Sequence, residues 1–247
     1  MADIEARLAR FTLSPRKLIA RALPAGATVV DVGCGDFHKT YNYLYQTNPE
    51  LRIVGLDLGV ERTQYGDSPV PDHIAATGRF RRLACDVSGE PLPFADGSVQ
   101  GVYCSHLIEH VTRQEHVLAE TFRILAPGGL LYLETPGPRS LIVKPGSWLS
   151  TIAISNPPNH WDDPTHVSPP WSIEELTSRL RGAGFDVLRS GYHREAGALL
   201  APLYAGAMLV GLLPGLAAQT RAVLVGAGWW NLVGWPIWAL ARKPRNG

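Results

Sequence analysis

The hydrophobic and polar positions of the chain follow two alternating patterns. Short apolar runs rich in β-branched residues, each bounded by glycine or proline, predict strands. Between them, apolar residues recur every three or four positions, which predicts helices. Strands separated by helices are typical of an α/β fold with a mainly parallel, helix-covered sheet. The predicted strands are residues 27–32, 52–58, 82–85, 98–104, 130–135, 185–193 and 235–242.

The helical pattern is clearest in three places. Residues 3–23 carry an apolar stripe that Pro15 interrupts, and residues 116–125 place their apolar side chains on one side. A third helix is predicted over residues 173–182. Ser172 precedes it and Glu175 follows three positions later, which is the pattern of a capping box.

Two segments break this alternation. Residues 136–170 form a long proline-rich stretch, and loops of this length are commonly lids or binding loops. Residues 197–218 contain no charge and would be long enough to span a bilayer. A single span would, however, separate two strands that belong to one sheet. We therefore expect a hydrophobic helical insert that contacts a membrane surface, with a dimer interface, a core extension or a lid over an apolar substrate as alternatives.

Composition narrows the possible functions. There are 23 Lys and Arg against 22 Asp and Glu, and this net charge of +1 argues against a nucleic-acid partner. The three cysteines, Cys34, Cys85 and Cys104, form no disulfide or zinc pattern, which suits a reducing compartment. The N-terminal residues lack a signal-peptide pattern. We expect a cytoplasmic protein, peripheral at the inner membrane face through residues 197–234, and a homodimer is an open alternative.

The sequence predicts four parts. These are an N-terminal helical segment (1–26), a core with a lid loop (27–195), the hydrophobic insert (196–234), and the last strand with a basic tail (235–247).

A glycine turn and three acids are the main candidates for ligand binding. Gly33 and Gly35 follow the first strand, where they permit positive φ and close approach of the backbone to a ligand. Asp31 lies in that strand. Asp57 and Asp86 end the next two strands, and in open α/β sheets ligands bind beyond these carboxyl ends. A carboxylate at position 57 would suit the two hydroxyls of a ribose.

A nicotinamide-dependent oxidoreductase is a competing interpretation of this turn. The dinucleotide fingerprint requires a third glycine where this chain has His38. Asp31 would also repel a pyrophosphate, whereas a cationic ligand would tolerate it. Both residues disfavour this alternative.

Four segments together resemble the class I S-adenosylmethionine-dependent methyltransferases, in particular the type 11 small-molecule group. They are VVDVGCGDF, IVGLDL, LACDVSGEPLPFADGSVQGVYCSHLIEHV and RILAPGGLLYLETP, within residues 27–135. The resemblance implies a Rossmann-like sheet of seven strands, mostly parallel, with helices on both faces and an antiparallel last strand. One departure is Phe37, where the family often has a third glycine.

The resemblance also implies a cofactor, S-adenosylmethionine, and the residues that bind it. Asp31 and the backbone of the glycine turn would hold the methionine part, Asp57 the ribose, and Asp86 with Val87 the adenine. Ser105 and His106 would lie near the sulfonium. The predicted cofactor-binding set is Asp31, Gly33, Cys34, Gly35, Asp57, Leu58, Asp86, Val87, Ser105 and His106.

Transfer to a hydroxyl usually needs a base, and histidine is suited to this near neutral pH. His106 and His110 lie four residues apart, so on a helix they would share a face. His166 lies in the segment DDPTHV, where pairing with Asp163 would raise its basicity. We predict His110 and His166 as the catalytic residues.

No metal site is predicted, although two alternatives exist. The loop residues His160, Asp162, Asp163 and His166 could bind a divalent cation, or be purely structural. The spacing Cys104-x-His106-x3-His110 could also be a metal site, but it lacks a second thiolate, and cysteine is often a small buried apolar residue.

The resulting hypothesis is methyl transfer to a small molecule, at an oxygen of an amphiphilic, lipid-linked or sugar-containing acceptor. The alternatives are a catalytically silent S-adenosylmethionine-binding module and the nicotinamide-dependent oxidoreductase.

Overall fold

The structure is a computed structural model that describes residues 14–35, 40–58, 70, 72–142, 144–146, 159–193, 201–217, 220–221, 224–225 and 234–245. Within this part of the chain, seven strands form one sheet in the order β3-β2-β1-β4-β5-β7-β6. The strands are β1 Thr28–Val32, β2 Arg52–Asp57, β3 Phe80–Ala84, β4 Val99–Ser105, β5 Leu125–Pro136, β6 Asp186–Tyr192 and β7 Pro236–Arg242.

The direction of the strands confirms the predicted fold class. The five strands β1 to β5 pair in parallel, and β7 runs antiparallel to both of its neighbours, β5 and β6. Strand β1 is buried along almost all of its length, because helices cover both faces and its valines pack on either side. The strand order reverses beside β1, which places the carboxyl ends of β1, β2 and β4 around one crevice.

One described helix precedes β1, and the others lie between strands. They are α1 Leu18–Ala22, α2 Asp72–Ala75, α3 Gln114–Ile124, α4 Ile173–Gly182 and α5 Ala201–Gly211, with a π-helical segment at Thr40–Tyr45. Short 3-10 turns occur at Pro15–Lys17, Ile108–His110, Pro138–Leu141 and His160–Asp162. Of the predicted first helix, residues 3–13 lie outside the described residues.

The sheet separates the core into two layers. Side chains of Val30 and Val32 point to the α3 and α4 side, whereas Val29 belongs to the layer under α1. Helix α1 lies very close to β4. A Cβ added at Gly101 would come within 2.6 Å of Leu23 Cδ1.

The start of α4 agrees with its predicted cap in part. Ser172 Oγ accepts a hydrogen bond of 3.1 Å from Glu175 N, which satisfies one free donor of the first turn. The Glu175 carboxylate is bound by Arg179 Nη2 at 2.8 Å. The described contacts therefore include one half of the predicted capping box, the hydrogen bond to the Ser172 side chain.

The predicted hydrophobic insert contains α5, which is helical as expected. Residues 196–200, 218–219, 222–223 and 226–233 of the insert lie outside the described residues, and the four domain boundaries stay predictions. Among the described helices, none has the length and apolar character needed to cross a bilayer.

Candidate functional site

The glycine turn after β1 folds back onto the end of β2. Gly33 N and Cys34 N both donate to Leu56 O, at 2.9 and 3.0 Å. Gly33 has φ +73°, and a Cβ there would lie 2.8 Å from Leu107 Cδ1, so only glycine fits. Gly35 has φ +52°, and none of the described residues, which exclude 36–39, has a heavy atom within 4 Å of where a Cβ would stand. On the side of the described residues, the backbone is therefore open to a ligand.

Asp57 holds this turn in place. Its Oδ2 accepts a hydrogen bond of 2.8 Å from Gly35 N, and its Oδ1 accepts one from Leu58 N, also 2.8 Å. Each carboxylate oxygen has two acceptor positions, so both oxygens retain capacity for hydroxyl donors. The Leu58 side chain is 73% exposed at this edge. The geometry fits a carboxylate that binds ribose hydroxyls beside a backbone left free for a ligand.

Asp31 and Cys34 differ in what they offer a ligand. Asp31 is buried, and its Oδ2 accepts a hydrogen bond from Thr40 Oγ1 at 2.5 Å. Cys34 packs against β2, where a Cβ at Gly55 would stand 2.7 Å from its Sγ. Burial raises the pKa of the Cys34 thiol. Cys34 therefore contributes its backbone to the turn, and its side chain belongs to the packing.

Asp86 lies in a tight local turn. Its Oδ1 accepts from Ser88 Oγ at 2.7 Å and from Ser88 N at 3.0 Å. These hydrogen bonds, the hydroxyl one first, lower the pKa of the Asp86 carboxyl. The Val87 side chain is buried in the α3 and α4 layer. The Asp86 carboxylate is thus largely engaged in hydrogen bonds within its own turn. This turn lies beyond β3, where the sequence predicts the adenine-binding residues.

The residues that follow β4 have an unusual backbone. His106 has φ +56°, and no other non-glycine residue in the described part of the chain has a positive φ. Such conformations cost energy and cluster at functional sites. The hydroxyls of Ser105 and Tyr103 are buried close to one another: burial raises the pKa of Tyr103, and the Ser105 hydroxyl acts in the opposite direction.

The His106 ring is held from two sides. Its Nδ1 lies 3.1 Å from Glu109 Oε1, and its Nε2 lies 3.1 Å from Glu134 Oε1. The turn after β4 is a 3-10 turn and not an α-helix, so His106 and His110 do not share a helix face as predicted. His106 faces the sheet, whereas His110 faces the loop around residue 165.

A buried ionic network around Glu134 was not predicted. Glu134 is completely buried and binds Arg16, with Arg16 Nε at 2.9 Å from Oε1, and His193, with Nδ1 at 2.6 Å from Oε2. Tyr132 Oη donates to the same Oε2 at 2.7 Å. Burial would raise the pKa of Glu134, but the charges of Arg16 and His193 outweigh it and hold this pKa well below its usual value. The network fixes His106 through Glu134.

The two predicted catalytic histidines lie together. The rings of His110 and His166 have centroids 4.7 Å apart, and His166 also stacks on His160 at 4.1 Å. The chain brings them close because Val167 N donates to Glu109 O at 2.9 Å, which ties the loop to the turn after β4. Residues 56 positions apart in sequence thus form one cluster.

Asp163 acts on His166 in the expected direction, but its effect is smaller than that of burial. His166 Nε2 lies 3.8 Å from Asp163 Oδ2, longer than a hydrogen bond. Burial lowers the pKa of His166, and the pull of Glu109 and Asp163 towards a higher value is smaller. His166 is therefore held in its neutral form.

Neither of the two metal sites considered from the sequence matches the set of possible metal ligands that converge in the structure. Cys104 is buried in the core, where burial raises its thiol pKa. Asp162 Oδ1 accepts from Gly146 N at 2.7 Å, and His160 Nε2 lies 2.7 Å from Ser168 O, so these two are engaged elsewhere. Among the described residues, the possible metal ligands that converge are Glu109, His110 and His166. Glu109 is the member of this group that the sequence analysis does not predict.

The comparisons with known proteins agree with this architecture. The family described as "Methyltransferase domain" matches residues 5–190. A ubiquinone/menaquinone biosynthesis C-methyltransferase from Hahella chejuensis is 33% identical over 124 residues, which cover 49% of this chain and 47% of that protein. A protein of Mycolicibacterium smegmatis named "Probable S-adenosylmethionine-dependent methyltransferase" is 30% identical over 164 residues, 66% of this chain and 53% of its own. The chain thus spans about half the length of these two relatives.

Solved structures show the same fold. Geranyl diphosphate C-methyltransferase from Streptomyces coelicolor, in complex with Mg²⁺, geranyl diphosphate and S-adenosylhomocysteine, has a TM-score of 0.55 at 16% identity, covering 98% of this chain and 78% of that chain. The phosphoethanolamine methyltransferase 2 of Haemonchus contortus, in complex with S-adenosylhomocysteine, has a TM-score of 0.58 at 16% identity, covering 90% and 50%. Because the family match extends over three quarters of the chain and includes the glycine turn, Asp57 and the strand after Asp86, this chain belongs to the class I S-adenosylmethionine-dependent methyltransferases that its motifs resemble.

Proposed function

We propose that this protein transfers a methyl group from S-adenosylmethionine to an oxygen of a small amphiphilic acceptor, lipid-linked or sugar-containing. The observation that carries the oxygen assignment is the pair of adjacent histidines, His110 and His166, beyond the carboxyl end of β4, of which burial lowers the pKa of His166. S-adenosylmethionine, when bound, supplies the methyl group and leaves as S-adenosylhomocysteine. The residues of this chain bind it, orient the acceptor and accept a proton.

The cofactor site would use the residues at the ends of four strands. Asp31 and the backbone of the glycine turn would face the methionine part, and Asp57 with Leu58 the ribose. The Asp86 turn and Val87 would flank the adenine, and Ser105 with His106 would lie near the sulfonium. The space around Gly35 on the side of the described residues and the acceptor positions left on the Asp57 carboxylate support this arrangement.

The acceptor's hydroxyl would approach from the side of the histidine cluster. As the new carbon–oxygen bond forms, the carbon–sulfur bond breaks and the hydroxyl proton passes to the Nε2 lone pair of His110 or His166. A neutral imidazole is required for this step. The burial that lowers the pKa of His166 supplies that form.

The exposed apolar surface of α5 supports an amphiphilic acceptor. Leu203 is 68% exposed and Leu209 is 64% exposed, and the same surface continues beyond the helix end. Patches of this kind mark interaction sites. We propose that the protein is cytoplasmic and contacts the inner face of the membrane peripherally through this surface. Such contact would present a membrane-bound acceptor to the crevice. A dimer contact through the same surface is the alternative.

Transfer to a carbon atom is a second candidate, because the Hahella chejuensis relative is named a C-methyltransferase. An assay with methyl-labelled S-adenosylmethionine and fractionated membrane extract tests both. Label that enters a lipid-soluble product and is released by ether cleavage supports the oxygen assignment. Label in a carbon skeleton would contradict the oxygen assignment. Efficient transfer to a short water-soluble metabolite by a chain with a polar α5 surface would contradict the amphiphilic acceptor.

A further inference from the structure

A cluster of three metal-ligating groups lies between the turn after β4 and the 159–170 loop. Ligand atoms of Glu109, His110 and His166 all lie within 4.8 Å of one another. Glu109 is buried and both histidines are partly buried, which distinguishes the group from the exposed acidic clusters common on protein surfaces. We infer that these three side chains form a binding site for a divalent transition metal. The inference concerns metal binding alone. A histidine whose Nε2 binds an ion cannot also accept the acceptor's proton, so metal binding and the histidine base proposed above are alternative uses of these two lone pairs.

The hydrogen bonds of His166 leave its Nε2 as a free ligand atom. Its Nδ1 lies 2.6 Å from His160 O, and a carbonyl oxygen can only accept, so Nδ1 carries the proton. Nε2 then has its lone pair. Histidines that bind metals are commonly oriented in this way, by a carbonyl or carboxylate at the other nitrogen.

His110 is oriented in the same manner. Its Nδ1 lies 2.9 Å from Thr165 Oγ1 and 3.3 Å from Thr165 O. The Thr165 hydroxyl donates its own proton to Asp163 Oδ1 at 2.5 Å, so it must accept from His110. Nδ1 of His110 is therefore the donor, and its Nε2 has a free lone pair as well.

Glu109 supplies the negative charge and is itself supported. Its Oε1 lies 3.1 Å from His106 Nδ1, and its Oε2 accepts from Thr135 Oγ1 at 3.0 Å. A carboxylate that is hydrogen-bonded on both oxygens retains lone pairs for an ion. His106 and Thr135 would thus be its supporting groups.

This ligand set selects the kind of ion. Two imidazoles and one carboxylate suit Zn²⁺, Fe²⁺, Mn²⁺, Co²⁺ or Ni²⁺, whereas Mg²⁺ and Ca²⁺ prefer sites built from oxygens alone. Zinc–nitrogen bonds are about 2.0–2.1 Å, so the three side chains would move inward when an ion binds. Three protein ligands leave at least one coordination position open, which an oxygen of water or of an acceptor would take.

Titration of the metal-free chain with Co²⁺ tests the site, because imidazole-bound Co²⁺ has a visible absorption spectrum that requires no turnover. We expect one Co²⁺ per chain, displaced by Zn²⁺. The variants Glu109→Gln, His110→Ala and His166→Ala should each weaken binding at least tenfold. His116→Ala is the matched control, since His116 lies in the first turn of α3, outside the cluster, and its Nε2 lies 3.0 Å from Glu90 O.

Circular dichroism first establishes that the parent chain and each variant are folded, and each titration then has one interpretation. Absence of the cobalt spectrum in the parent chain overturns the inference, as does undiminished binding in Glu109→Gln and His110→Ala together. Equal loss in His116→Ala would show unspecific binding to histidines and overturn it too. Glu109→Gln preserves the shape of the side chain, so the test remains decisive where an alanine variant fails to fold. Failure here would leave the methyl-transfer assay unaffected.

Discussion

The carboxylate of Asp57, at the end of β2, accepts a hydrogen bond of 2.8 Å from the backbone N–H of Gly35, in the turn after β1. This bond joins the two elements that we propose to hold the cofactor. It also means that the shape of the turn depends on the Asp57 carboxylate. A change at Asp57 would therefore remove the proposed ribose contact and also loosen the backbone of the turn.

Replacement of Asp57 should abolish most cofactor affinity. We expect Asp57→Ala to weaken binding of S-adenosylhomocysteine at least tenfold, which is about 1.4 kcal/mol. Isothermal titration calorimetry measures the difference. Asp186→Ala is the control, because Asp186 lies on β6 and only forms a long contact of 3.7 Å with Arg242. Equal affinity in the Asp57→Ala and parent chains would show that this crevice does not hold the cofactor.

The Arg16–Glu134 pair should be important for stability. Glu134→Gln leaves the Arg16 guanidinium buried without its countercharge, and breaking a buried pair typically costs about 3–5 kcal/mol of unfolding free energy. Urea denaturation followed by circular dichroism measures it. The exposed pair of Glu175 and Arg179 provides the comparison, since Glu175→Gln should cost about 0.5 kcal/mol. A loss of under 1 kcal/mol in Glu134→Gln would contradict this account of the network.

The same carboxylate predicts how stability depends on pH. The folded pKa of Glu134 is held well below its ordinary value of 4.5, so its contribution is fully present above about pH 4.5. It is lost as the pH falls towards the folded pKa, because only the unfolded chain takes up the proton. The difference in unfolding free energy between the parent and Glu134→Gln should therefore shrink below pH 4.5. A difference that grows with acidity would reverse the assigned sign.

The three cysteines should be unreactive in the folded protein. Cys34, Cys85 and Cys104 are buried, and burial raises the pKa of each thiol, so little thiolate exists at pH 8. Labelling with a chromogenic disulfide reagent should be much slower in buffer than in denaturant. Fast reaction of one thiol in buffer would show that its part of the core opens readily.

The local part of the site could be predicted from the sequence, since it depends on spacing. The glycine turn and Asp57 lie in short segments whose positions relative to the strands follow from the pattern, and the family match removes the nicotinamide alternative. The network could not be predicted, because Arg16 and Glu134 are 118 residues apart. Within the run LLYLETP, Glu134 is the single charged residue in a buried strand, and no sequence signal identifies its partner.

The cluster of Glu109, His110 and His166 was only partly predictable for the same reason. Both histidines were identified as candidates, because histidine is the usual base near neutral pH. Their proximity depends on the contact of Val167 N with Glu109 O, which is a tertiary contact. The pKa of His166 was expected to rise, since Asp163 is its sequence neighbour. Burial decides it instead, and burial cannot be inferred for a loop residue from composition.

The exposed apolar side chains around α5 should control membrane binding. Leu209 and Leu213 are 64% and 54% exposed, so serine at both positions removes apolar area at the surface without opening the core. Each fully buried leucine contributes about 1.5–3 kcal/mol, so a double replacement should lower vesicle affinity by tenfold or more if both side chains enter the membrane. Flotation with vesicles that contain anionic lipid measures this affinity.

Ile142→Ser is the matched control, since Ile142 is 64% exposed but lies outside α5. If the Leu209→Ser, Leu213→Ser chain floats like the parent, α5 does not contact lipid. A concomitant change from dimer to monomer in sedimentation would instead assign this surface to a second copy of the chain.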